Sequence, residues 1–437
     1  MKPVKVGLLG LGTVGSGTVN ILERNNDEIT RRAGREIQVV AAAARHLDRP
    51  RSCRTEGIRL TSDPFQVVDD PETEIIVELI GGYEPARELV LRAIDNGKHV
   101  VTANKALIAL HGNEIFARAR DKGVTVVFEA AVAGGIPIIK AVREGLTGNR
   151  IQWLAGIING TANYIFTEMF YAGREFGEVL AEAQRLGYAE ADPTFDVEGI
   201  DAAHKLTILA SIAFGIPLQF DKVHVEGIAH VTAEDVGWAE ELGYRIKHLG
   251  ICVHEENGYS LRVHPTLLPQ RHMLANVDGV MNAVMVCGDA VGPTLYYGPG
   301  AGSEPTASAV VADLVDVVRE FNLEPENRVP YLAFQSHFLS NDPVLDMGEV
   351  ESAYYIRLMA QDEPGVLAEV TRILGELGIS IEAIMQKEPA PGAEDVPVIF
   401  LTHRVKEHRM NAAIEQIEAL PAVNGRLTRI RVERFDS

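Results

Sequence analysis

The chain has 437 residues, of which 46% are hydrophobic and 23% are charged, enough for a large core and roughly three domains. Its 41 basic and 61 acidic residues give a formal net charge of -20 at pH 7, which argues against a nucleic-acid or anionic-membrane surface. No apolar run reaches the length of a membrane span, and the scattered cysteines Cys53, Cys252 and Cys287 favour a reducing cytoplasmic compartment without a structural metal cluster.

The first segment predicts a dinucleotide-binding site. An apolar strand predicted at residues 2–9 precedes GLGTVG, which contains Gly10, Gly12 and Gly15, and a helix is predicted for residues 14–32. In this order of strand, turn and helix, the glycines let the backbone approach a pyrophosphate at a helix N-terminus. Outside that order the same motif would carry little weight.

The end of the second predicted strand, residues 37–44, bears on the choice of cofactor. An acidic residue here would bind the ribose 2′-hydroxyl of NAD, but the strand is followed by Arg45 and His46. Because arginine suits a 2′-phosphate, NADP is favoured, and NAD stays the alternative. A plain surface charge is the other interpretation of Arg45.

Strands and helices then alternate as far as residue 128, which indicates a mostly parallel, doubly wound sheet. Ligands of such sheets bind at the carboxyl ends of the strands, where Asn104 and Lys105 fall. Lys105 is therefore a candidate contact to cofactor or substrate, with an exposed lysine at a helix start as the alternative.

Glu129 directly follows the last strand of this pattern, and Gly134, Gly135 and Pro137 then force a turn. A carboxylate beside glycine-containing backbone is a donor set for a hard cation such as sodium. A structural glutamate is the alternative.

An acidic stretch near the middle of the chain carries the strongest signal for chemistry. In AEAQRLGYAEADPTFDVEGIDAAHK, Asp-Pro and the glycines predict a loop to about Gly199 and a helix from near Ile200. Asp201 and Lys205 then lie four residues apart on one helical face. A lysine used in proton transfer must be held by an acid and partly desolvated, and this arrangement can supply both conditions. The alternative is a solvated loop with an ordinary surface ion pair. We call residues 188–201 the acidic segment.

The sequence around the acidic segment predicts a mixed sheet backed by helices. Short strands are predicted within residues 247–287, and the polar turn from Asn159 to Asn163 is a helix cap or a substrate-binding loop. Farther along, Gly298, Gly300 and Gly302 predict a loop facing the cofactor. There Ser303 is a candidate N-cap of a helix that returns to the nucleotide-binding domain.

The C-terminal part, residues 352–437, restarts with a βαββαβ order that is ferredoxin-like. Within it, Gly365 precedes a predicted helix whose free N–H groups can hold an amino-acid carboxylate. The loop PAPGAED at residues 389–395 is expected to be mobile.

These segments together resemble the homoserine dehydrogenase family. The stretch ending at Lys205 fills every defined position of the pattern A-x3-G-[aromatic/apolar]-[small]-x2-D-P-x2-D-[apolar]-x-G-x-D-x3-K. GLGTVG, TANKAL, EAAVAGGIPI and GPGAGSEPTASAV are similar to family segments in the same order, so the resemblance covers residues 1 to about 325. A monofunctional enzyme is expected, since no aspartate kinase region precedes residue 1.

The resemblance implies reversible NAD(P)-dependent interconversion of L-aspartate 4-semialdehyde and L-homoserine in threonine, methionine and isoleucine biosynthesis. It makes Lys205 the proton donor or acceptor, and Lys105 a group that polarises the carbonyl. Glu190 would hold the substrate ammonium, with Asp196 and Asp201 ordering the substrate and Lys205. This agrees with the chemistry, because a carbonyl under hydride attack needs a cationic group near its oxygen.

The glycine-rich turn, the strand ends and the second glycine loop give the candidate cofactor contacts Gly10, Gly12, Thr13, Val14, Gly15, Arg45, Lys105 and Gly302. The resemblance also implies a site for a monovalent cation. The implied sodium ligands are Glu129 and backbone groups of Val132, Gly134 and Ile136.

The C-terminal stretch DEPGVLAEVTRILGELGISIEAI resembles the ACT family of amino-acid-sensing domains. By that resemblance, threonine is the expected effector and Gly365 marks the regulatory site. A dimerisation domain without a ligand is the alternative, and a homodimer or homotetramer is expected.

The predicted fold class is α/β, with three domains. A Rossmann-type nucleotide-binding domain takes residues 1–145 and about 300–340, an α+β catalytic and dimerisation domain takes 146–299, and an ACT domain takes 352–437. Two other functions stay open, namely an amino-acid or NADP-sensing binding protein on the same scaffold and another amino-acid dehydrogenase. The set of Asp201, Lys205, Lys105 and Glu190 favours an enzyme over a binding protein, and rates with homoserine against other amino alcohols would separate the two dehydrogenases.

Overall fold

The computed structural model describes residues 2–387 and 395–435, so the loop predicted at 389–395 lies, apart from Asp395, outside the described residues. The chain forms two units. The first contains residues 1–154, 203–221 and 281–341, and the second contains residues 155–202, 222–280 and 342–437. The division into three domains stays a prediction.

The first unit is built on a six-stranded sheet whose strands are all parallel, in the order β3-β2-β1-β4-β5-β6. The strands are β1 Val4–Leu9, β2 Ile37–Ala43, β3 Arg59–Thr61, β4 Ile75–Glu78, β5 His99–Thr102 and β6 Val126–Val127. Runs such as VKVGLL are apolar almost throughout because helices cover both faces of such a sheet. The strand order reverses beside β1, which places a ligand crevice at its carboxyl end. The predicted doubly wound fold is confirmed.

The helices of this region mostly match the predicted ones. They are α1 Thr13–Arg24, α2 Asn26–Ala33, α3 Pro64–Val68, α4 Ala86–Asp95, α5 Lys105–Lys122 and the short α6 Ile138–Lys140. The prediction of one helix over residues 14–32 is wrong, since the chain breaks at Asn25, which ends α1 and serves as the N-cap of α2.

The middle of the chain alternates between the two units. Its elements are β7 Ile151–Ile157, α7 Gly160–Ala172, α8 Phe176–Leu186, α9 Thr194–Val197, α10 Ile200–Phe214, β8 His224–Val225, α11 Ala233–Glu241, β9 Tyr244–Glu255, β10 Gly258–Pro269, β11 Met281–Gly288, β12 Gly292–Pro299 and α12 Ser303–Glu320. The predicted start of α10 near Ile200 is confirmed. The acidic segment is not wholly a loop, because it contains α9.

The helix α12 returns to the nucleotide-binding sheet as predicted. Its apolar face, including Val310 and Leu314, is buried in one core with Val4 of β1 and Leu22 of α1. Two local predictions are wrong. Gly298 belongs to strand β12, and the N-cap of α12 is Gly302, because the Ser303 hydroxyl donates instead to another segment.

The C-terminal elements are β13 Glu351–Gln361, α13 Val366–Glu376, β14 Ile381–Gln386, β15 Asp395–Thr402, β16 Val405–Lys406, α14 Glu407–Glu418 and β17 Val423–Val432. Their order across the sheet is β17-β13-β15-β14, which is the ferredoxin-like order. β17 also pairs in parallel with β10, and β10 pairs antiparallel with β9, so the second unit holds one mixed sheet. No helix among the described residues is long and apolar enough to cross a membrane.

Candidate active site

The glycine-rich turn after β1 has the shape that a dinucleotide requires. Gly10 adopts φ +103°, and a Cβ on Gly15 would lie 2.2 Å from the carbonyl oxygen of Gly10, so both positions need glycine. α1 begins at Thr13, and the N–H groups of its first turn have no partner within the helix. A Cβ on Gly12 would meet only open space within 4 Å. The turn therefore offers an accessible helix N-terminus that fits a pyrophosphate.

Thr13 is also tied to the second glycine-rich loop. The Ser303 hydroxyl donates to its carbonyl oxygen at 2.7 Å, directly after Gly302. This bond fixes the start of α12 beside the start of α1. Arg45 lies two residues beyond β2 with an exposed side chain, which leaves it able to reach a ligand at this sheet edge.

A buried carboxylate that the sequence prediction missed shapes the crevice. Glu78 ends β4 and is fully buried, and it accepts hydrogen bonds from the N–H groups of Ile80 at 2.9 Å and Gly81 at 3.0 Å, and from Thr102 Oγ1 at 2.6 Å. Burial raises the pKa of Glu78, and the hydrogen bonds, which lower it, only partly offset this effect. An acid at the end of the apolar run IIVE was the available signal.

Asn104 holds Lys105 at the mouth of the same crevice. Its Oδ1 accepts the N–H of Leu107 at 3.1 Å, which caps α5, and its Nδ2 donates to the carbonyl of Gly82 at 2.7 Å. Lys105 is consequently the first residue of α5, half-buried at a strand end. The predicted position is confirmed.

A cavity of about 260 Å³ within the first unit brings these elements together. It is lined by Val14, Leu79, Gly81, Ala103, Asn104, Lys105, Ala130, Ala131, Ala133, Gly134, Lys205, Gly300, Ala301 and Thr306. Lys105 and Lys205 are the two ionisable side chains of this lining. The rest of the wall consists of glycine and apolar residues with Asn104 and Thr306, so a ligand there meets backbone, two polar side chains and two lysines.

Two glycines let the walls approach each other. A Cβ on Gly134 would lie 2.5 Å from the carbonyl oxygen of Gly300, and Gly135 donates its N–H to Pro299 O at 3.0 Å. The loop predicted to face the cofactor thus packs against the turn after β6.

Glu129 lies in that turn, and its carboxylate is buried. Oε1 accepts the N–H of Ile139 at 2.9 Å and Oε2 accepts that of Lys140 at 2.9 Å, so the carboxylate caps α6. Burial raises the pKa of Glu129 to about 7, although these two hydrogen bonds act to lower it. Val132, Gly134 and Ile136 follow, and all three are buried.

The second unit brings two acids of the acidic segment together at one asparagine. Asn159 caps α7, since its Oδ1 accepts the N–H of Ala162 at 2.8 Å. Its Nδ2 donates to Asp196 at 2.7 Å and to Asp201 at 2.9 Å. The predicted cap is confirmed, and the same side chain holds two predicted substrate ligands together, which the sequence did not indicate.

Glu190 is exposed on the same segment. Thr161 donates to the carbonyl of Tyr188 at 2.6 Å, and Gln184 Nε2 donates to that of Glu190 at 3.1 Å. The backbone is thus anchored on both sides while the carboxylate faces solvent. α10 then carries Asp201 and Lys205 one turn apart, at 5% and 9% exposure, as predicted for a desolvated pair on one face.

Comparisons with known proteins identify the family. Family models match residues 137–315 (homoserine dehydrogenase), 10–129 (homoserine dehydrogenase, NAD binding domain) and 354–422 (ACT domain). A homoserine dehydrogenase of Pseudomonas aeruginosa is 66% identical over 437 residues, all of both chains. The chain belongs to the homoserine dehydrogenase family.

The similarity to other homoserine dehydrogenases also extends over the whole length of the chain. The protein of Neisseria gonorrhoeae is 52% identical and covers 99% of both chains. A crystal structure of a homoserine dehydrogenase from Thiobacillus denitrificans superposes with a TM-score of 0.94 at 66% identity, and one from S. aureus with 0.76 at 33%, each covering 99% of both chains. The family resemblance, the Rossmann-like nicotinamide-binding domain and the ACT domain are confirmed.

Proposed function

We propose that this homoserine dehydrogenase catalyses the reversible oxidation of L-homoserine to L-aspartate 4-semialdehyde with NADP, in the cytoplasm, as a homodimer or homotetramer. The observation that carries the proposal is that Lys105 and Lys205 line one cavity with Val14 of the GLGTVG turn. The test is the initial rate of nicotinamide reduction with L-homoserine, using NADP and NAD in parallel. No turnover with either cofactor would contradict the proposal.

The bound nicotinamide supplies the hydride chemistry. Lys205, on a buried helix face, takes the hydroxyl proton of homoserine during oxidation and returns it to the alkoxide during reduction. Lys205 is 9% exposed, so this proton exchange takes place away from bulk water. Lys105 stabilises the negative charge on the carbonyl oxygen.

The acidic segment binds the amino-acid part of the substrate. Glu190 takes the ammonium, and its solvent-facing carboxylate suits a group that arrives from water. Asp196 and Asp201 order the substrate and Lys205, and Asn159 keeps these two carboxylates in place with bonds of 2.7 and 2.9 Å. Carboxylates that share one amide donor keep lone pairs for an ammonium ligand.

Glu129 and backbone groups of Val132, Gly134 and Ile136 are proposed to hold a sodium ion. One carboxylate with carbonyl oxygens is a donor set for a hard cation. No group of three metal-ligating side chains occurs in the part of the chain that is described, so backbone oxygens must supply most ligands. Replacing sodium by choline should lower the melting temperature of the wild type more than that of Glu129→Gln.

The ACT domain is proposed to bind threonine as a feedback inhibitor. Gly365 adopts φ 102° and is the N-cap of α13, so it directly precedes the N–H groups that would hold an amino-acid carboxylate. The test is inhibition of homoserine oxidation by L-threonine, with L-valine as the control. Gly365→Val should weaken the inhibition, because a side chain strains this backbone conformation.

A further inference from the structure

The three residues that follow β8, residues 226–228, connect the acidic segment to the C-terminal domain. Glu226 follows β8 and donates its N–H to Val263 O at 2.7 Å, while its carbonyl oxygen lies 3.1 Å from His248 Nε2. Two residues later, Ile228 donates its N–H to Val197 O at 2.9 Å. Val197 is the neighbour of Asp196. The backbone at Glu226 is therefore connected, through Ile228 and Val197, to the proposed substrate ligand Asp196.

The side chain of Glu226 is held from the other side by the last strand of the chain. Arg431 Nη1 donates to Oε2 at 2.8 Å and Nη2 to Oε1 at 2.7 Å, and Arg429 Nη2 donates to Oε1 at 3.0 Å. Arg431 is 0% exposed. Burial raises the pKa of Glu226, but the hydrogen bonds from His224 and Arg431 outweigh it and lower the pKa below its ordinary value.

A second carboxylate completes the cluster. Glu407 of α14 accepts from Arg431 Nε at 2.8 Å and lies 2.9 Å from Arg429 Nη1, and Tyr354 donates its hydroxyl to it at 2.8 Å. Two arginines and two glutamates thus neutralise each other. Removing one member would leave an uncompensated buried charge.

The C-terminal domain is packed against the acidic segment by apolar contacts as well as by this charged cluster. Val197 and Ile228 already share an apolar core with Tyr355, Ile430 and Val432 of that domain. Buried ion pairs rarely stabilise a fold more than apolar side chains of similar size would. Stability alone therefore does not explain why this position holds a charged cluster. Unlike apolar contacts, these ion pairs are directional, because a bidentate arginine fixes a carboxylate in one orientation.

We propose that Glu226 is a positioning residue for the acidic segment, held in register by Arg431 and Arg429 of the ACT domain. Through Val225, Gly227 and Ile228 it sets where Val197 and hence Asp196 lie. Substrate affinity therefore depends on the regulatory domain even when no effector is bound. The inference rests on the proposed function, since it takes Asp196 as a substrate ligand.

The test compares Glu226→Gln with Glu433→Gln in the full-length chain. Glu433 is the matched control, because it forms another buried ion pair between β10 and the C-terminal domain, with its Oε1 2.7 Å from Arg262 Nη2. Glu226→Gln should raise KM for homoserine about 10-fold, while the Kd for NADP measured by fluorescence stays unchanged. Glu433→Gln should lower the melting temperature and leave KM for homoserine unchanged.

The inference is overturned if Glu226→Gln leaves KM for homoserine unchanged, or if Glu433→Gln raises it equally. Should Glu226→Gln not fold, Arg429→Gln removes one donor from a partly exposed position and must still raise this KM. A wild type inactive on homoserine would defeat the proposed function first, which separates the two failures.

Discussion

The cavity of the first unit and the acidic segment of the second are built from different groups. The cavity combines glycine and alanine backbone with Lys105 and Lys205, whereas the acidic segment presents Glu190 and the carboxylates collected by Asn159. Backbone N–H groups and lysines suit a phosphate-bearing cofactor and a developing alkoxide, and carboxylates suit an ammonium. Changes in the first should therefore act on turnover and cofactor, and changes in the second on substrate affinity.

The largest effect that would sharpen this comparison is expected at Lys205. Lys205→Ala should lower kcat by about 10³-fold, because it removes the group that exchanges a proton with the substrate oxygen. NADP binding, measured by protein fluorescence, should be retained, since the glycine turn is untouched. Lys122→Ala, at the exposed end of α5, is the control and should keep full activity. Near wild-type kcat in Lys205→Ala would remove this lysine from the proposed chemistry.

A second effect concerns the stability of the second unit in acid. His248 is fully buried, its Nε2 lies 3.1 Å from Glu226 O, and its Nδ1 has no hydrogen-bond partner among the described residues. Burial lowers its pKa to about 4. This pKa lies below the value of about 6.5 in the unfolded chain, so protonation of His248 favours the unfolded state. The contribution of neutral His248 to the free energy of unfolding is therefore fully present above pH 6.5 and is lost as the pH falls through 4.

His248→Gln should remove that loss, which amounts to about 3 kcal/mol of unfolding free energy. The measurement is urea unfolding of both proteins at pH 7.5, 6 and 4.5, where the highest pH corrects for altered packing. An acid dependence equal to that of the wild type would show that other groups govern it.

Sequence patterns predicted the parallel sheet, the ferredoxin-like domain and the helix that carries Asp201 and Lys205, because local periodicity and punctuation decide such elements. They missed the roles of Glu78 and the second function of Asn159. Those roles depend on contacts between residues far apart in the chain, such as Asn159 with Asp201. The displaced cap at Ser303 was missed for the same reason, because its hydroxyl donates to the carbonyl oxygen of Thr13, far away in the chain.

A smaller effect is expected at Glu190. Glu190→Gln should raise KM for homoserine about 30-fold, on the order of 2 kcal/mol, as for the loss of a hydrogen bond to a charged group. KM for NADP should not change. Glu198→Gln, an exposed glutamate of the same segment, is the control. If both variants raise KM alike, the segment attracts the ammonium by its overall charge and the division between the two regions is less sharp.

The smallest effect tests the cofactor side at Arg45. Arg45→Gln should lower the preference for NADP over NAD about tenfold, because a charged contact to the 2′-phosphate is lost at an exposed position. The readout is the ratio of kcat/KM values for the two cofactors, with homoserine saturating. Arg31→Gln, whose side chain is exposed on α2, controls for the change in net charge. A preference that survives Arg45→Gln would place the recognition of the phosphate elsewhere, whereas a change in KM for homoserine would break the separation between cofactor and substrate regions.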